Sequence, residues 1–151
     1  MTLAIRPEHR NVPEDGALDE ALRSLGAKSG ARQLASLMYG DTVPDGLGAV
    51  TPGWLAANAE AAWSFIAEKQ SPGHKVRFRR ATAAGDVPAV IEILNDDMPF
   101  LVDSVLGELQ ARGLAVRQVL HPIFKARRDE AGHLQAVLGP GDRNWSDGRQ
   151  E

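Results

Sequence analysis

A chain of 151 residues, 43% hydrophobic and 25% charged, has the make-up of one globular domain with a helical appendage and not of a disordered tail. A net charge of −3 argues against a surface built to neutralise phosphates, so nucleic acid is not an expected partner, and the lack of cysteine removes disulfides, thiolate nucleophiles and cysteine-bound metals. Apolar runs fall well short of the ~20 residues that span a bilayer and the start lacks a signal-like core, so the expectation is a soluble, cytoplasmic chain with no membrane partner.

Residues 1–14 mix Pro7, Pro13 and charges without periodicity and read as a loose arm. A helical segment follows over 15–73. Leu18, Ala21, Leu22 and Leu25 recur at helical spacing before Gly26, and Ala31, Leu34, Ala35, Leu37 and Met38 do the same before Gly40. Residues 41–50 read as a loop. Thr51-Pro52 is a strong helix start, since the hydroxyl can accept from an orphan amide and proline suits the first turn. From there to about Lys69, Trp54, Leu55, Ala61, Ala62, Phe65 and Ile66 gather within roughly 160°, and Ser71-Pro72-Gly73 ends the run.

The period changes at His74. Val76 and Phe78 alternate with Lys75, Arg77 and Arg79, giving a strand with one basic face that is expected to meet solvent or another subunit. After a return through residues 81–86, Val87 to Leu94 reads as a strand apolar on most of both faces, the mark of a sheet interior. A helix is expected from near Pro99, with Leu101, Val102, Val105, Leu106 and Leu109 on one side and Gly113 as its left-handed stop. Residues 114–128 read as a long extended segment that Pro122 confines to an edge. Leu134, Ala136 and Leu138 mark a further strand, and residues 139–151 an irregular tail.

Strand, helix, strand, strand is the first two-thirds of a ferredoxin-like unit. The fold class is therefore α+β: an incomplete ferredoxin-like antiparallel sheet over residues 74–138 with one packed helix, preceded by the helical segment. Pairing of 74–80 with 87–94 would complete a four-stranded sheet, and the helix from Thr51 would cover part of the face left bare.

The string NDDMPFLVDSVLGELQARGLAVRQVLHPIFKARRDEAGHL, with AAWSFIAEKQSPGHKVRFR and the Leu-Met-Tyr-Gly of 37–40 upstream, resembles the amino-terminal region of the large bacterial NAD-specific glutamate dehydrogenases. The resemblance implies an ACT-like module over 74–138, a type of domain that often binds amino acids. It also implies a chain cut before the rest of a longer enzyme. That enzyme would use NAD to deaminate glutamate to 2-oxoglutarate and ammonia, a step of amino-acid catabolism. The glycine-rich dinucleotide fold and the catalytic groups are expected elsewhere in it, so this stretch is expected to carry no catalytic residue, cofactor or metal of its own. Its expected partners are the rest of the same polypeptide, other copies through the parent's homo-oligomer, and an amino-acid effector under allosteric regulation.

The candidate site is the turn Asn95, Asp96, Asp97, Met98, Pro99 and Phe100. Asp97, Met98, Pro99, Phe100, Leu101 and Val105 resemble the ACT pattern of Asp, any residue, Pro, Gly, Leu and a spaced Val. Phe100 departs from it where many ligand-binding members have glycine, which puts close approach of a ligand in doubt. Asn95, Asp96 and Asp97 are explained by capping and the helix dipole more simply than by a metal, and the two aspartates would repel a carboxylate ligand. His9, His74, His121 and His133 show no paired spacing on one helix face, and Ser104 has no nucleophile elbow. Gly46 and Gly48 alone are too weak for a dinucleotide fingerprint.

Overall fold

The computed structural model describes residues 16–27, 29–40, 51–69, 73–80, 89–140 and 149–150, so the arm, the 41–50 loop, the 81–86 return and the Gly46/Gly48 pair lie outside the described residues. Three helices come first: α1 (Ala17–Ser24), α2 (Gly30–Tyr39) and α3 (Pro52–Ile66). Each starts where its local chemistry allows. The Thr51 hydroxyl accepts from the Trp54 amide at 3.1 Å with Pro52 in the first turn, and the Ser29 hydroxyl accepts from the Arg32 amide at 3.1 Å. The three pack through Leu18, Ala21, Leu25, Ala31, Ala35, Tyr39, Leu55 and Ala59.

Gly30 opens α2 against the indole of Trp63 on α3, and a Cβ there would fall inside the ring's van der Waals surface. Gly30→Ala should therefore destabilise the chain by about 1–3 kcal/mol, the usual cost of overpacking. The loss in urea unfolding should shrink when the same substitution is made in a Trp63→Phe background.

The rest is β1 (Lys75–Arg79), β2 (Val90–Leu94), α4 (Leu101–Ala111), β3 (Lys125–Arg128), β4 (Leu134–Leu138) and β5 (Arg149–Gln150). β1 and β2 pair antiparallel in the expected hairpin, with Lys75 opposite Leu94 and Arg79 opposite Val90. The expected four-stranded sheet is not found among the described residues. Among the described residues the hairpin stands as one sheet, and β4-β3-β5 as another. β2 is thus not interior, and Ile91 and Ile93 are 43% and 39% exposed. The segment before β3 carries no ladder, so Pro122 restricts no pairing, and β3 is the central strand of its sheet and not an edge. The tail is not wholly irregular either, because Arg149–Gln150 returns as β5 beside β3.

The largest departure concerns the basic face of β1. It turns inward onto α3 instead of outward. Lys75 Nζ donates to the carbonyls of Phe65 (2.6 Å) and Glu68 (2.7 Å), and Arg77 donates to the Ala61 carbonyl (2.7 Å) while its guanidinium lies 4.7 Å from the Phe65 ring centroid. From the other sheet Arg128 donates to the Ile66 carbonyl at 2.9 Å. The last carbonyls of a helix lack intrahelical donors and carry its negative end, so cations are what α3 needs there. A second core joins the layers through Leu34, Phe65, Ile66, Leu94, Phe124, Ala126 and Val137. α3 does cover the hairpin, but on its charged face, leaving Val76 and Phe78 61% and 59% exposed.

Candidate functional site at the acidic turn

Asn95 to Phe100 connects β2 to α4. The N-cap position of α4 is Phe100, whose side chain has no acceptor to offer the first turn. Asp96 reaches back to Lys69, whose ammonium donates to Oδ1 at 2.6 Å. The Lys69 side chain is 2% exposed and that of Asp96 44%, so the carboxylate works as the counter-ion of a buried cation. Lys69 follows α3, and its amide donates to the Gly132 carbonyl at 3.2 Å in the β3–β4 turn. The turn is thereby tied to both layers. Asn95 Nδ2 donates to the Met98 sulfur at 3.1 Å, a weak bond, while Asp97, Met98, Pro99 and Phe100 are exposed.

Phe100 adopts φ 62 and ψ 8, the left-handed region that a side chain resists and glycine enters freely. The backbone therefore has the shape of the glycine pattern while carrying a phenyl ring that is 76% exposed. Phe100→Gly should raise stability by about 0.5–1 kcal/mol, the relief of left-handed strain less the added freedom of the unfolded glycine chain. A urea midpoint that falls instead would mean that the exposed ring is held by packing.

The turn lines a cavity of about 840 Å³ whose walls include Phe78, Ile91 and Ile93 from the hairpin and Leu101, Leu106 and Leu109 from α4. That volume suits a small ligand. A second depression, of about 450 Å³, is polar and lined by Glu68, Lys69, His74, Lys75 and His133. Three of these side chains are engaged within the fold: Lys75 by the α3 carbonyls, Lys69 by Asp96, and His133 Nδ1 by Asp129 Oδ2 at 3.2 Å. The backbone amide of His133 is the main cause that holds the Asp129 carboxyl below the ordinary carboxylate range, outweighing desolvation. Among the described residues no group of three His, Asp or Glu side chains could hold a metal. His121 lines the larger cavity, Ser104 is exposed on α4, and His9 lies outside the described residues.

Sequence reasoning missed a polar network behind the hairpin. Arg77 meets Glu92 in a two-pronged contact at 2.6 and 2.9 Å, and Arg79 Nε donates to the same carboxylate at 3.1 Å. Arg79 also donates to Asn58 Oδ1, Asn58 Nδ2 donates to the Tyr39 oxygen at 3.0 Å, and the Tyr39 hydroxyl donates to the Leu55 carbonyl at 3.2 Å. Burial pushes the Tyr39 phenol above its ordinary pKa despite Asn58 and Arg79, so it stays a neutral donor. The signal available in the sequence was Glu92, the lone charge in VIEIL.

The family model described as glutamate dehydrogenase, ACT1 domain, matches residues 34–151. The chain belongs to this family. It is 32% identical over 92 residues to the NAD-specific glutamate dehydrogenase of Halomonas elongata, covering 58% of this chain and 6% of that protein. Over 53 residues it is 38% identical to the NAD-specific glutamate dehydrogenase of Pseudomonas aeruginosa, covering 35% of this chain and 3% of the relative. The chain thus spans a small part of the length of the relatives it matches. No solved structure matches it. The α+β make-up agrees with the ACT1 assignment, and among the described residues no helix is long and apolar enough to cross a membrane.

Proposed function

We propose that this ACT1 region is a non-catalytic regulatory or assembly part of an NAD-dependent glutamate dehydrogenase, whose catalytic and NAD-binding parts lie elsewhere in a longer polypeptide. The parent would convert glutamate, NAD and water into 2-oxoglutarate, ammonia and NADH as a homo-oligomer. The observation that carries this reading is the 2.6 Å contact between Asp96 and the buried ammonium of Lys69. It makes this acidic turn a joint between layers, held by the fold's own cation.

One observation favours a second reading, an amino-acid-sensing module. The glycine-like backbone of Phe100 stands at the head of α4, and Asp97, three residues before it, and Leu101, directly after it, line the cavity. A panel of amino acids in a thermal-shift assay separates the two. A ligand at 100 times its Kd adds about 2.7 kcal/mol, worth roughly 5–10 °C for a domain of this size. The joint reading expects no amino acid to move the melting temperature, and a shift of that size with one of them would replace it by sensing.

A further inference from the structure

Leu101, Leu106 and Leu109 of α4 and Phe78, Ile91 and Ile93 of the β1–β2 hairpin line the same cavity, which α4 does not close. α4 has no buried residue, and none of its residues belongs to either core cluster. Leu101, Val102, Val105, Leu106 and Leu109 are half-buried, while Asp103, Ser104, Glu108 and Gln110 are exposed, so the amphipathic side points the right way but stops short. On the facing sheet Val76, Phe78, Ile91 and Ile93 remain between 39% and 61% exposed. Contiguous apolar surface of this kind is normally covered.

The chain on either side of α4 is fixed. Before it, Leu94 is 4% exposed in the second core and Asp96 is bound to Lys69; after it, Leu120 packs on the first core and Phe124 is 4% exposed in the second. Between these roots each end of α4 carries a residue at positive φ, Phe100 at 62° and Gly113 at 71°. A few element-terminal residues that absorb a backbone rotation are how hinged segments move.

We infer that α4 is a lid hinged at Phe100 and Gly113, which swings between the open position described above and a closed one in which its leucines meet Phe78, Ile91 and Ile93. Closure collapses the cavity and buries the hairpin's outer face beneath the chain's own helix. Opening presents that face and the inner face of α4 together.

The chain has no cysteine, so introduced thiols are the sole labelling sites. Ser64 on α3 and Gln110 on α4 are both exposed, so spin labels on a Ser64→Cys/Gln110→Cys variant leave the core untouched. Two distance populations are expected, with the shorter reduced several-fold when Leu106→Asp places a charge on the closing face. A single narrow population, or two that Leu106→Asp leaves unchanged, overturns the lid. An Ile91→Cys/Leu109→Cys variant adds a second readout. Mild oxidation should link the thiols within one chain and cut the binding of an apolar dye several-fold. Linkage between two chains would instead show that a second copy covers the face, and no linkage in a variant that melts like the parent would show that α4 does not reach the sheet.

Discussion

Asp96→Ala is expected to cost about 2–4 kcal/mol, and Lys69→Met less, although both delete the same ion pair. The difference follows from where the two charges sit. The Lys69 side chain is 2% exposed, so removing Asp96 leaves an ammonium in the protein interior without its 2.6 Å partner. Breaking a buried pair from one side typically costs several kcal/mol, reduced here because the carboxylate is 44% exposed and water already screens it. Removing Lys69 leaves only that half-exposed carboxylate, which water can solvate, and methionine fills the space of the lysine stem. The double variant should therefore be more stable than Asp96→Ala alone. Urea unfolding of the four proteins gives the comparison, and a larger loss for Lys69→Met would show that the carboxylate serves some other partner.

The second large effect belongs to Glu92. Its side chain is 11% exposed and faces two guanidinium groups that are themselves 31% and 29% exposed. Glu92→Gln keeps the shape and removes the charge. It leaves one amide oxygen to accept where two carboxylate oxygens accepted three bonds, and turns the amide's NH₂ towards cations. The expected loss is about 2–3 kcal/mol, in line with charge-assisted bonds at a partly buried site. That corresponds to about 5–10 °C in melting temperature for a chain of this length. Arg77→Met in the Glu92→Gln background should cost less than in the parent, since the pair is then already broken; additive losses would mean that the arginine is held by Ala61 and Phe65 alone.

How the sequence spoke depended on whether the information was local. Thr51-Pro52 announced α3, and Gly113, at φ 71, closed α4, because caps and left-handed stops are written in adjacent residues. The alternation of β1 was equally legible, but alternation says that a strand has two faces and not which one is covered. A charged face by itself reads as outward, yet the unpaired carbonyls at the end of α3 and the carboxylate of Glu92 give three cations a better place inside. Lys69 looked like any cation at the end of a helix, and nothing near it in the chain points to Asp96. A sheet divided in two was not legible because it depends on which strand edges meet. β5, two residues long, is too short to carry a pattern.

The end of α3 has a consequence for how the molecule comes apart. Among the described residues the two sheets share no ladder, so hydrogen bonding between these strands gives them no reason to melt together. Besides the second core, which Leu94 of the hairpin enters with Ala126 and Val137 of the other sheet, they share one row of carbonyls: Lys75 of the hairpin holds those of Phe65 and Glu68, and Arg128 of the other sheet holds that of Ile66, which is 62 positions away in the chain. Release of either sheet strips donors from the same helical turn and loosens the footing of the other. Cooperativity between two β-layers is thus transmitted through the frayable tip of a helix as well as through their shared core, and contacts so distant in sequence form late, after most of the loop-closure entropy has been overcome.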